Sequence, residues 1–231
     1  MLDGLIKMTS EQEELVAMIR DFMNKEIKPH IRELEEQGRY PDRLIKMGIE
    51  MGLHVMQWPE EYGGLGLDST TTAMMLEEGA RVESTFMGMF NVTNMGGKII
   101  MAVGSEEQKK YYGELMADGA LASFCLTEPG AGSDVASVRT RAVKKGNEYV
   151  INGTKMFITN GALASVYMVV ATLDPSKGYK GLATFLVERD RPGVSVGKVE
   201  DKLGMRLSNT AEVIFEDVVV PASNLIGTET S

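Results

Sequence analysis

The stretch Ala122-Ser123-Phe124-Cys125-Leu126-Thr127-Glu128-Pro129-Gly130-Ala131-Gly132-Ser133-Asp134-Val135-Ala136-Ser137 marks the point where the chain changes character. It begins apolar, turns through Pro129, Gly130 and Gly132, and gathers Thr127, Glu128, Ser133 and Asp134 within eight positions. Glycine lets a ligand approach the backbone closely, and a Ser or Thr hydroxyl offers one donor and two acceptors. A turn rich in free N–H groups can receive an anionic or heteroaromatic ligand. On composition alone, the same residues also read as a polar loop capped by Asp134.

Upstream of this stretch the pattern is helical. Ser10-Glu11-Gln12-Glu13 reads as a capping box, with Leu15, Ile19, Phe22 and Ile27 following on one face. Pro29 is expected to kink or end that helix, and Pro41 to open a second with Leu44, Met47 and Met51 on its apolar side. A Gly-rich loop from Tyr62 to Gly66 follows; no strand precedes it, so it is not a dinucleotide fingerprint. Further helices are expected from Asp68, over Ser84 to Val103, and after a second capping box at Ser105-Glu106-Glu107-Gln108.

After Gly119 the period shortens. Ala120 to Leu126 reads as a strand. Tyr149-Val150-Ile151 and Lys155-Met156-Phe157-Ile158 flank an Asn152-Gly153 pair, the pattern of a tight hairpin. Short strands are expected at Val166–Ala171, Leu182–Glu188, Ser195–Val199 and Ala211–Val220. The fold class predicted is α+β multidomain: an all-α helical domain over 1–119, then a middle antiparallel β-barrel or sandwich domain over 120–231.

Bulk properties exclude several classes. The net charge of −9 and the lack of a basic stripe argue against nucleic acid as a partner. A single cysteine allows no intrachain disulfide framework and points to a reducing compartment. No stretch approaches the roughly 20 apolar residues of a membrane span, and no apolar signal core opens the chain. The expected location is cytoplasmic, or the mitochondrial matrix for a processed eukaryotic chain. His30 and His54 have no metal-ligand spacing, so no metal is expected.

The order of residues in five blocks resembles the flavin-dependent acyl-CoA dehydrogenase family. The first is Cys125-Leu126-Thr127-Glu128-Pro129-Gly130-Ala131-Gly132-Ser133-Asp134. Upstream lies Pro59-Glu60-Glu61-Tyr62-Gly63-Gly64-Leu65-Gly66, and downstream Asn152-Gly153-Thr154-Lys155-Met156-Phe157-Ile158-Thr159-Asn160. Lys202-Leu203-Gly204-Met205-Arg206 and Phe215-Glu216-Asp217-Val218-Val219-Val220-Pro221 complete the set in family order.

The resemblance implies an N-terminal helical domain, a middle β-domain and a C-terminal four-helix domain, of which this chain is expected to supply the first two. It implies FAD as cofactor and α,β-dehydrogenation of an acyl-CoA thioester to a trans-2-enoyl-CoA. A carboxylate removes the α-proton while the β-hydrogen leaves as hydride to the flavin. By this likeness Phe124 to Ser133 lie along the flavin, with the Leu126 backbone and Thr127 hydroxyl at its pyrimidine end. Gly132 and Ser133 sit near the pyrophosphate, and Ser133 also near the CoA portion of the substrate. Phe157 covers one face of the ring, while Ile158 and Thr159 complete the cofactor set, Thr159 near N5.

The family's catalytic glutamate is expected in the third domain, so no catalytic residue is expected in this chain; Glu128 matches a structural position. An electron-transfer flavoprotein is the implied acceptor and a homo-oligomer, commonly a tetramer, the implied assembly. An acyl-CoA oxidase or flavin enoyl-CoA reductase on the same fold, and a non-catalytic binding module, remain alternatives.

Taken alone, Phe157 and Thr159 read as a core aromatic and its strand neighbour. Cys125 reads as a buried apolar residue. Met74, Met75, Met87, Met89, Met95 and Met101 read as core filling or as the floor of an acyl pocket. Arg206 reads as a salt-bridging residue, with a phosphate contact as the weaker alternative.

Overall fold

The computed structural model describes residues 7–229; the outermost residues of the two expected domains, 1–6 and 230–231, lie outside them. Helix α1, Ser10–Phe22, starts one residue from the expected box: Thr9 is its cap, accepting from Gln12 N–H at 3.2 Å. Gln12 Oε1 in turn accepts from Thr9 N–H at 3.0 Å. Ser10 is already the first helical residue, so the reciprocal partner three positions on from Thr9 is Gln12.

Pro29 has no N–H to continue the ladder. The chain answers with a π turn, Met23–Ile27, and a 3₁₀ turn, Lys28–His30, before α2 resumes over Ile31–Gln37. Helix α3, Asp42–Glu50, follows Pro41 as expected. Helix α4, Ser69–Ala80, is capped by Asp68, which accepts from Thr71 N–H at 2.7 Å. Helix α5, Ser84–Val103, is capped by the Glu83 carboxylate, and α6, Glu106–Ala117, by the expected Ser105–Gln108 box. Among the described residues no helix is long and apolar enough to cross a membrane.

The strands are β1 Ala122–Cys125, β2 Arg141–Lys145, β3 Glu148–Thr159, β4 Val166–Thr172, β5 Leu182–Glu188, β6 Val194–Val199, β7 Thr210–Pro221 and β8 Leu225–Ile226. They form one sheet in the order β6-β7-β3-β2-β4-β5-β8, with β1 beside β4. Two pairings differ from the antiparallel expectation. Strand β1 runs parallel to β4, and β2 touches β4 in parallel at Arg141–Thr172, so the sheet is mixed.

The expected hairpin at Asn152-Gly153 is not there. Strand β3 runs straight through the pair, and the hairpin turns at Gly146-Asn147, where Lys145 faces Glu148. At Asn152-Gly153 the register against β7 shifts, forming a bulge. Asn152 and Asp217 clasp it: Asp217 N–H donates to Asn152 Oδ1 at 2.8 Å and Asn152 Nδ2 to Asp217 Oδ1 at 3.1 Å. A side chain at Gly153 would place its Cβ 2.7 Å from Thr140 Cα, so the glycine serves a close approach of backbones rather than a turn.

The helical half packs around Ile19, Phe22, Leu44, Phe86 and Phe90, and the sheet around Tyr149, Tyr167, Phe185, Val213 and Phe215. A third cluster joins them: Trp58, Ile100 and Tyr112 pack on Ala122, Val166 and Met168. The two ends of the chain's pattern are thereby one packed body at β1, which is where the distinctive loop begins.

Candidate functional site

Strand β1 carries the chain out of this junction and into the loop. Cys125 is fully buried, and burial pushes its thiol well above the ordinary range, which rules against a nucleophile. The loop closes on itself: Glu128 N–H donates to Ala131 O at 2.9 Å and Ala131 N–H to Glu128 O at 3.2 Å. Pro129 and Gly130 are left exposed at the tip. A Cβ built on Gly130 or Gly132 meets nothing within 4 Å, so the space above the turn is open.

The second half of β3 lies against this loop. Met156 N–H donates to Thr127 O at 2.8 Å. The next residue, Phe157, adopts φ +58° and stands 58% exposed. Left-handed backbone costs an L-residue roughly 1–2 kcal/mol, and exposing the ring forgoes its burial. Here the register against β7 shifts again, between Lys155 and Ile158, which turns Phe157 out of the sheet. Thr159 is half-buried, and its carbonyl accepts from Ser123 Oγ at 2.6 Å.

The Ile158 side chain points away from the loop. It is 2% exposed and sits in the sheet core beside Val213 and Phe215. With Phe157 turned outward, its neighbour takes the inward position, so the Ile158 side chain faces no open site. Phe124, Leu126, Thr127 and Thr159 are half-buried, and Gly132 and Ser133 are exposed. Hydrogen bonds at Leu126 O, Thr127 O and the Glu128 carboxylate bring the loop to β3. No hydrogen bond joins Gly132 or Ser133 to β3 among the described residues.

A buried ion pair underlies the juncture. Lys155, 0% exposed, directs Nζ to Glu128 Oε1 at 2.7 Å and to Leu126 O at 3.0 Å. The Glu128 carboxylate also accepts from Arg139 N–H at 2.7 Å and Thr140 N–H at 2.9 Å. Burial alone would raise the Glu128 pKa, but the hydrogen bonds from Lys155, Thr140 and Arg139 outweigh it and hold the carboxyl below its usual value. Burial pulls the Lys155 pKa down, with Glu128 opposing. With both oxygens engaged, Glu128 is a structural anchor and not a free base.

Sequence reading assigns Lys155 no role; the usable signal was a lysine inside an otherwise apolar strand, with a carboxylate in the loop before it. Asn160 was also passed over. It holds φ +62°, donates from Nδ2 to Met89 O at 2.8 Å and Ala122 O at 3.3 Å, and so ties the end of β3 to α5 and β1. The six methionines split: Met75, Met87 and Met89 are buried, Met74 and Met101 half-buried, and Met95 exposed. Arg206 pairs with Asp201 at 2.7 Å. A cleft of about 750 Å³ between α6 and β5–β8, lined by Gln108, Tyr111, Leu186 and Leu225, contains none of the expected site residues.

Comparison with known proteins places this geometry. The family model described as "Acyl-CoA dehydrogenase, N-terminal domain" matches residues 9–120, and "Acyl-CoA dehydrogenase, middle domain" matches 123–218. An acyl-CoA dehydrogenase of Bacillus subtilis is 42% identical over 96% of this chain and 59% of its own length. The chain thus spans a little over half the length of that curated relative. The butyryl-CoA dehydrogenase from Megasphaera elsdenii superposes with TM-score 0.92 at 34% identity, covering 97% of this chain and 60% of that one. A glutaryl-CoA dehydrogenase from Mycobacterium smegmatis, in complex with FADH2, does so with TM-score 0.87 at 33% identity, over 95% and 56% of the two chains. The helical half and the mixed sheet are therefore shared features, and the chain belongs to the acyl-CoA dehydrogenase family.

Proposed function

We propose that this chain forms the flavin-facing part of an FAD-dependent acyl-CoA dehydrogenase, converting an acyl-CoA thioester to a trans-2-enoyl-CoA. In this reading 1–119 is the helical unit and 120–231 the unit that faces flavin and acyl-CoA. The observation that carries it is the clasp of Thr127 to Met156, beside a Phe157 ring held outward on left-handed backbone. Strained, exposed aromatics persist where a ligand gives them a partner.

The residues fit the cofactor. The room above Gly130 and Gly132 admits a phosphate-bearing chain close to backbone. Thr127 and Thr159 offer hydroxyls from opposite sides of the clasp, and the Phe157 ring offers a flat apolar face that excludes water from one side of a heteroaromatic ring. FAD, when bound, supplies the two-electron oxidant for the β-hydrogen. Phe124, Leu126, Thr127, Gly132, Ser133, Phe157, Thr159 and the Ile158 backbone hold and orient it, and Ser133 also meets the CoA portion. Glu128 is engaged in its ion pair, so the acceptor of the α-proton is assigned to a residue outside this chain. An electron-transfer flavoprotein is the proposed acceptor, a homo-oligomer the proposed assembly and the cytoplasm the proposed location.

The test is a titration of the chain with FAD, followed by visible absorbance and flavin fluorescence. Saturable binding with a shifted, structured flavin band is expected, and Phe157→Ala should weaken it. A flavin spectrum that stays that of free FAD throughout would overturn the assignment.

A further inference from the structure

The buried pair behind the loop does more than fill space. Leu126 C=O is drawn to Lys155 Nζ at 3.0 Å and Thr127 C=O to Met156 N–H at 2.8 Å. In a planar trans peptide, the carbonyl and the following N–H point in opposite directions. With the Leu126 carbonyl pulled toward Lys155, the Thr127 N–H is turned away from it. Among the described residues that N–H donates to no protein acceptor.

Glu128 sets the other side of the arrangement. Its carboxylate grips Arg139 N–H and Thr140 N–H, so the segment leading into β2, the loop and β3 meet on one buried charge pair. An ammonium carries three donors, so Lys155 can satisfy the carboxylate and the Leu126 carbonyl at once. A neutral side chain of the same length would remove the donor that holds the Leu126 carbonyl.

We propose that Glu128 and Lys155 are positioning residues that lock the Leu126–Thr127 peptide with the Thr127 N–H outward, as a fixed donor to an acceptor on the bound flavin ring. The inference rests on the flavin reading given above, and it assigns to the pair a role in binding that neither residue performs by contact. A merely structural pair makes a different forecast. Replacing both partners of a buried ion pair by neutral groups of like size is often harmless to stability, and it would then leave flavin binding untouched.

The deciding experiment compares the wild-type chain with the double variant Lys155→Met/Glu128→Gln by three readouts. These are amide hydrogen exchange across 126–133, exchange across β4 as the folding control, and the Kd and absorbance maximum of FAD. The expected result is β4 protection unchanged within about twofold, exchange at 126–133 faster by about tenfold or more, and FAD binding weaker by at least about tenfold with its band shifted toward free flavin. Unchanged exchange in the loop, or unchanged FAD affinity in a loosened loop, would overturn the positioning role. If the double variant does not fold, Glu128→Gln alone is decisive. It keeps the Lys155 bond to Leu126 and should give smaller changes in the same two readouts, and their absence counts against the proposal. A wild-type chain that ignores FAD defeats the flavin reading itself, and the positioning role toward flavin with it. Loop exchange in the variants then still reports whether the pair holds the peptide.

Discussion

The Nδ2 group of Asn160 donates a 2.8 Å hydrogen bond to the Met89 carbonyl, fastening the end of β3 to the middle of α5. The residue is 1% exposed and left-handed, and asparagine is among the few non-glycine side chains that tolerate that backbone. Asn160→Ala removes both of its Nδ2 bonds, strands buried carbonyls and strains the backbone. A loss of about 2–3 kcal/mol is expected, read from urea unfolding. A loss below the error of that measurement would show that the junction holds without it.

Lys155→Met alone should be far worse than the double neutral change. It leaves the Glu128 carboxylate buried beside backbone amides with no cation. Breaking one side of a buried pair costs about 3–5 kcal/mol. The measurement is the difference in unfolding free energy between the single and double variants, and equal destabilisation would refute the coupling.

Phe157→Gly tests the strain at the site. Glycine accepts φ +58° without penalty, and the ring it removes is mostly exposed. The variant should be more stable by about 1 kcal/mol and bind flavin less tightly. A fall in the thermal midpoint would mean that the ring packs on the protein more than its exposure indicates.

Two glycines should respond in opposite directions to alanine. At Gly153 the new Cβ lies 2.3 Å from Thr140 Oγ1 and 2.7 Å from its Cα, so Gly153→Ala should lose about 1–3 kcal/mol. At Gly88, inside α5, it meets nothing within 4 Å, so Gly88→Ala should gain about 0.5–1 kcal/mol through helix propensity and the unfolded chain. Paired thermal melts check both signs.

His54 should make the fold sensitive to mild acid. Its Nε2 donates to Met116 O at 2.9 Å, its Nδ1 is buried without a partner, and burial lowers its pKa from 6.5. The unfolded chain therefore takes up a proton near pH 6.5 while the folded chain resists until lower pH. Stability from this group is full above that value and declines as pH falls below it, by at most about 1.4 kcal/mol per pH unit. In His54→Gln the decline between pH 6.5 and 5 should be shallower; an identical profile would remove His54 as the cause.

Much of the architecture was legible in the residues because its signals are local. The Asp68 and Ser105 caps, the reach of α5 and strands β4 and β5 depend on neighbours a few positions away, and they lie where the patterns put them. The Asn152-Gly153 pair shows the limit. Locally it signals a turn, yet the partner that decides its conformation is Asp217, 65 residues further on. Phe157 and Thr127 were legible as a pair only through family order, since nothing in their own spacing shows that a loop and a later strand meet.

By itself, the sequence determined the succession of helices, the change of period after Gly119 and the Gly-rich turn, and the order of its five motif blocks carried the family resemblance. Strand β2 and the unbroken β3 lay outside that reading. The helices, the change of period and the turn follow from side-chain periodicity, capping chemistry and backbone freedom, which act over a few residues. Only the tertiary structure decided that β1 runs parallel to β4, that Ile158 turns inward while Phe157 turns out, and that Lys155 meets Glu128. Each of these depends on burial shared between distant segments: a charge or a ring has a low-energy place only once the surface facing it has been assembled.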